Sequence, residues 1–110
     1  MPEQFIEASQ LGFGTYQYSG TPNTLGGLTL REILVLAGAT PDADVSGFDL
    51  YFVSAAAPVY FNNDGTDADA TMMPFDTPGP GLRARTAKHL LDRLKIYSTG
   101  TVDLRIMLWG

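Results

Sequence analysis

The sequence predicts a mainly β fold: a small β-sandwich or barrel-like domain with one or two short helices. Three observations predict it. Val102, Leu104, Ile106 and Leu108 alternate with Asp103, Arg105, Met107 and Trp109, the two-residue period of a strand with one buried face. Phe48–Val53 and Val59–Phe61 are short runs of aromatic and branched residues separated by an Ala-Pro stretch, as strands broken by turns read. Only one segment, Thr29 to Gly38, carries a full set of helix signals. At 110 residues the chain fits a single domain, 1–110, able to bury about two-thirds of its extended surface.

The elements follow in order. Gln4–Ala8 suits a short first strand, and Leu11–Tyr18 an extended, partly exposed one, with Gly12 and Gly14 opposing a helix and Tyr16 and Tyr18 at alternate positions,. Gly20-Thr21-Pro22-Asn23 is a turn,. Thr29 and Glu32 have the spacing of a capping box, in which the threonine oxygen accepts an orphan backbone N–H and the glutamate reaches back,. Leu30, Ile33, Leu34 and Ala37 then share one face, and Gly38 is placed to end the helix,. Val35 and Leu36 widen the apolar face, which predicts a well-buried helix. Thr40–Asp44 is a polar connection.

Beyond the Phe48–Val53 run, Pro58 opposes a continuous central strand and predicts a bulge or an edge,. Asn62-Asn63-Asp64-Gly65-Thr66 is a strong turn signal,. Residues 62–81 read as a long polar loop, a feature often tied to function. Residues 84–91 predict a second short helix. Arg93–Tyr97 alternates, Ser98–Thr101 turns, and with the last strand these predict a C-terminal hairpin,. There is no internal repeat, heptad or low-complexity tract.

Composition excludes several chemistries. With no cysteine there is no disulfide, thiol nucleophile or thiolate zinc site,. One histidine, His89, opposes multi-histidine metal sites and a Ser-His-Asp triad, and reads as a helix-surface residue,. Gly12-Phe13-Gly14 lacks the third glycine and following helix of a dinucleotide fingerprint,. Asn62–Asp69 gathers oxygen ligands, yet aligning Gly65 with the invariant glycine of a calcium hand puts Tyr60 at the first ligand position,. Asp64, Asp67 and Asp69 therefore read as turn residues, and no catalytic residue, cofactor or metal is expected. Residues 1–80 carry ten acids and Arg31 alone as base, whereas residues 81–110 carry six bases and two acids. The division points to neutralisation within the fold or to docking between copies; a net charge of −5 opposes nucleic acid,. No apolar run reaches the ~20 residues of a membrane span, and Met1-Pro2-Glu3-Gln4 lacks a cationic leader start,.

Interface chemistry is the better reading. Met72, Met73 and Phe75 are the large apolar residues of the 62–81 loop and need a cover, such as a neighbouring subunit,. The second face of the last strand sets Met107 and Trp109 beside Arg105, residue types enriched at hot spots, with burial in a two-layer core as the other reading,. Tyr16 and Tyr18 pose the same choice.

Pro58-Val59-Tyr60-Phe61-Asn62-Asn63-Asp64-Gly65-Thr66, a polar loop, a short Leu/Ala segment, a strand, and Thr99-Gly100-Thr101 before a last strand ending in an aromatic form an ordered series. Over residues 48–110 this series resembles small β-rich structural proteins of tailed bacteriophages and phage-like particles. The resemblance implies a non-enzymatic virion protein that decorates the capsid or forms a head- or neck-vertex base for fibres or spikes. Its implied partners are its own copies and other virion proteins, such as major capsid, portal, neck or fibre proteins, with assembly in the bacterial host cytoplasm. Asp67-Ala68-Asp69-Ala70 departs from the family phrase, and the helix at 29–38 reads as an insertion. The Tyr-x-x-x-Asp-Gly-Thr turn also resembles small β-sandwich modules of carbohydrate enzymes, which implies an alternative glycan-binding role with Tyr16, Tyr18 and Trp109 as the sugar platform. A chain beginning at Met1 without a linker is expected to weigh against such an appended module.

Overall fold

The computed structural model describes residues 14–40, 45–75, 77–84 and 89–109. Among them, eight strands form two four-stranded antiparallel sheets. The first sheet has the order β1 (Thr15–Gly20), β8 (Val102–Trp109), β3 (Gly47–Ala55), β6 (Gly79–Ala84). The second has the order β2 (Leu28–Thr29), β7 (Lys95–Tyr97), β4 (Tyr60–Asn62), β5 (Met73–Pro74). Helices α1 (Leu30–Leu36) and α2 (Leu90–Arg93) complete the fold. The fold is thus mainly β and sandwich-like, as the residue pattern predicts. The expected strand at 4–8 and the Gly12-Phe13 segment lie outside the described residues, as do 41–44 of the polar connection.

The alternation at the C-terminus forms the centre of the first sheet. Val102, Leu104, Ile106 and Leu108 are all buried, and β8 pairs with β1 on one side (Tyr16↔Ile106, Tyr18↔Leu104) and β3 on the other (Phe48↔Leu108, Leu50↔Ile106, Phe52↔Leu104). Inward residues of three strands therefore lie in rows, which lets one face bury continuously. This register also decides the tyrosines. Tyr18 is buried and Tyr16 packs against the same core, so neither is an exposed platform residue. Burial pushes the Tyr18 phenol above its ordinary value of 10.0,.

Phe75 joins the two sheets. Its ring lies 4.7 Å from Phe52 of β3 and stacks at 4.3 Å on Phe61 of β4. Phe75 N–H donates to the Val59 carbonyl at 2.8 Å, which holds the residue under the sandwich. The expected C-terminal hairpin is not formed. β7 pairs with β2 and β4, β8 pairs with β1 and β3, and Ser98–Thr101 carries the chain from one sheet to the other. Pro58 lies in the matching crossover from β3 to β4, where its missing N–H costs no ladder bond,.

Helix α1 begins as its capping box predicts. Thr29 Oγ1 accepts from the Glu32 amide at 3.1 Å, and Glu32 Oε1 accepts from the Thr29 amide at 2.8 Å. Leu30, Ile33 and Leu34 are buried, and Gly38 at φ +89° follows the Ala37 cap in the left-handed conformation that ends helices,. The width of the buried face is smaller than expected: Val35 is 58% and Leu36 65% exposed. Three consecutive residues of a helix span most of its circumference, so Ile33 and Leu34 at the core leave Val35 and Leu36 turned away. The second helix is also displaced. Ala84 belongs to β6, residues 85–88 lie outside the described residues, and α2 spans Leu90–Arg93. The strand partner β3 claims Ala84, opposite Phe48, before local helix propensity can act,.

Candidate protein interface

The outward face of the first sheet carries the predicted β8 residues. Thr15, Met107 and Asp49 form one cross-strand row, and Gln17, Arg105 and Tyr51 the next. Tyr51, Val53 and Met107 are exposed on this face, and Trp109 is half-buried at its end. Trp109 is held in place: its indole N–H donates to Asp49 Oδ2 at 3.0 Å, and its carbonyl accepts from the Ser46 amide at 2.7 Å. Asp49 is the direct partner of Met107, so this bond is a diagonal contact of the ladder,. Arg105 is ion-paired with Asp103, two residues along the same face. Beside them Asp49, Leu50, Tyr51, Pro80 and Leu82 line an open recess of about 450 Å³, formed where a register shift between Asp49 and Tyr51 bulges β6 against β3,.

The arrangement is an aromatic and apolar surface with polar groups pinned by internal bonds. It offers burial to a partner, with the indole already ordered and little side-chain entropy left to lose on association. Tyr51, Val53 and Asp49 were not among the residues singled out from the sequence. Their signal was present, since Asp49, Tyr51 and Val53 alternate with Phe48, Leu50 and Phe52.

The loop residues divide. Met73 is 66% exposed on β5 and Met72 is half-buried, whereas Phe75 is 8% exposed and belongs to the core, not to an interface. The cover it needed is supplied by Phe52 and Phe61 of its own chain. The glycan platform does not assemble, because Tyr16 and Tyr18 face inward while Trp109 faces outward.

The acidic turn uses its carboxylates locally. Asp64 Oδ1 accepts from the Thr66 hydroxyl and, at 2.9 Å, from the Thr66 amide, and Asp69 Oδ1 binds Thr71 in the same way. These bonds, the hydroxyl first, hold both carboxyls below their ordinary range,. Asp67 lies 3.5 Å from Lys95. Among the described residues, no group of three or more His, Cys, Asp or Glu is placed to hold a metal ion. Arg31 and Asp92 pair at 2.7 Å between the two helices, the hydrogen bond raising the guanidinium and lowering the carboxyl. Asp67–Lys95 joins an acid of the first part to a base of the last and so neutralises a little of the charge division inside the fold, whereas Arg31–Asp92 pairs the minority charge of each part. No described helix is long and apolar enough to cross a membrane.

The chain matches no protein-family model, no curated protein and no solved structure.

Proposed function

We propose that this protein is a non-enzymatic structural protein of a tailed-bacteriophage virion, assembled in the host cytoplasm. It docks to other virion proteins, and to its own copies, as a capsid decoration or as the base of a vertex fibre or spike. The single observation that carries the docking role is the outward face of the β1-β8-β3-β6 sheet, where Tyr51, Val53 and Met107 are exposed beside a tethered Trp109. A sheet face left uncovered by the second sheet and the helices, with aromatic, Met and Arg side chains, has interface composition. The virion assignment rests on the resemblance of residues 48–110, with Met73 of β5 as a further exposed apolar side chain.

The test is incorporation into particles. Particles from a producing host are purified through a density gradient and probed with an antibody to this chain. Co-sedimentation and labelling at fixed positions on the particle are expected. Met107→Lys should abolish incorporation while leaving the soluble protein folded, because residue 107 points outward and a lysine there faces Asp49 across the ladder,. A chain found only in the soluble fraction would overturn the proposal.

A further inference from the structure

The four sheet edges are not alike. β2 and β5 are two residues long, and β5 contains Pro74. β6 contains Pro80 and a register shift against β3. Short length, proline and bulges are the devices that stop an edge from recruiting another strand. β1 has none of them: Thr15-Tyr16-Gln17-Tyr18-Ser19-Gly20 carries no proline and no charge, and its register with β8 is unbroken.

The phase of its backbone bonds follows from one contact. Leu108 N–H donates to the Gly14 carbonyl at 3.2 Å, so Gly14 and Leu108 are a hydrogen-bonded pair. Antiparallel pairs alternate, which makes Tyr16/Ile106 and Tyr18/Leu104 bonded pairs as well,. Thr15, Gln17 and Ser19 therefore turn their N–H and C=O groups to the side on which no other described strand pairs. We propose that this edge pairs with the β1 of a second copy of the chain, antiparallel and about a two-fold axis at Gln17, to join the two sheets into one.

The sequence of β1 is self-complementary in that register. Gln17 meets Gln17 of the other copy, and Thr15 meets Ser19, each pair exchanging backbone bonds and setting amide against amide or hydroxyl against hydroxyl on the outer face. Tyr16 meets Tyr18 on the inner face, an aromatic cross-strand pair that extends the core. A two-fold places like residues together, so a charged edge would repel itself, and this one has no charge. This pairing uses a different surface from the proposed virion contact and stands whether or not that contact exists. Because each copy carries a net charge of −5, salt should tighten the dimer.

Light scattering on the full chain, at low and high salt, combined with residue-resolved amide exchange, tests the proposal. The expected result is a dimer favoured by salt, with slow exchange at Thr15, Gln17 and Ser19. Gln17→Glu, on an exposed side chain that faces Arg105 across the ladder, should weaken dimerisation on the order of fivefold or more by repelling its own copy, without lowering the melting temperature of the monomer. A monomer at all concentrations would overturn the proposal, and protected edge amides in that monomer would show the edge covered by its own chain. A dimer indifferent to Gln17→Glu, with fast exchange at those amides, would also overturn it and place the contact elsewhere.

Discussion

Phe75 stacks on Phe61 at 4.3 Å with an interplanar angle of 25°. The contact ties a residue of the acidic loop's far end to the centre of the smaller sheet, while the tilted contact with Phe52 reaches the larger one. One ring thus fills the junction of the sandwich, and the length of loop before it is free to remain polar.

Truncation there should be severe. Phe75→Ala is expected to cost about 3–5 kcal/mol, through lost burial and the cavity it leaves. Met73→Asp, two residues away and mostly exposed, should change monomer stability by less than about 0.5 kcal/mol. Urea denaturation of the two variants measures both. Equal losses would mean that Met73 also packs in the core.

Trp109 is the sole tryptophan, and its emission reports the Asp49 bond directly. Asp49→Ala should shift the emission to the red, increase quenching by acrylamide, and cost about 1 kcal/mol of stability. An unchanged spectrum would show that the Asp49 bond is not what holds the indole.

Acid should weaken the fold through the turn and helix carboxylates. Asp64 and Asp69 are held down by threonine hydrogen bonds and Asp92 by its bond to Arg31. A carboxyl with a folded value below its unfolded one contributes stability above the unfolded value, here near 3.8, and loses it as pH falls through the folded value. Stability should therefore decline below about pH 4. In a carbon-detected NMR titration the Asp64 midpoint should lie below 3.8, and Thr66→Val should raise it towards that value. An Asp64 midpoint unaffected by Thr66→Val would remove the hydroxyl as the cause.

Gly27 has no room for a side chain. It sits at φ +84°, and an added Cβ would lie 2.8 Å from the Ile96 carbonyl oxygen of β7, a backbone atom that cannot turn away. Gly27→Ala should lower stability by more than about 1 kcal/mol, combining backbone strain with displacement of β2 from β7. Thermal melting would register this as a loss of several degrees. Gly38→Ala, at φ +89° but with open space around it, should cost less.

The elements that were legible in the sequence are those decided by their own neighbours. The Thr29/Glu32 box, the Gly38 stop and the alternation from Val102 to Trp109 each need only a few adjacent residues. What was not legible depends on distant partners. Alternation assigns β8 a buried face but not a sheet, so β7 and β8 read as a hairpin although Ser98–Thr101 crosses between layers. Ala84 looks helical until Phe48 is placed opposite it in the ladder. For the candidate interface, Met73, Met107 and Trp109 stand out in the sequence as large apolar residues among polar ones, and the structure leaves the first two exposed and the third half-buried. Phe75 met the same criterion and was misassigned, since sequence shows that a ring needs cover and not whose rings supply it.

The position of β8 has a consequence for biogenesis. The last described strand to leave the ribosome is an interior strand of the larger sheet, with β1 and β3 on its two sides. Until residues 102–109 clear the exit tunnel, Phe48, Leu50 and Phe52 have a partner strand on one side only, β6, and β1 has none among the described residues. The larger sheet can therefore close only once residues 102–109 have emerged, and its β1–β8 pairing spans nearly the full described chain,. During that interval the nascent chain displays its most apolar segments, and holding chaperones compete directly with the arrival of β8.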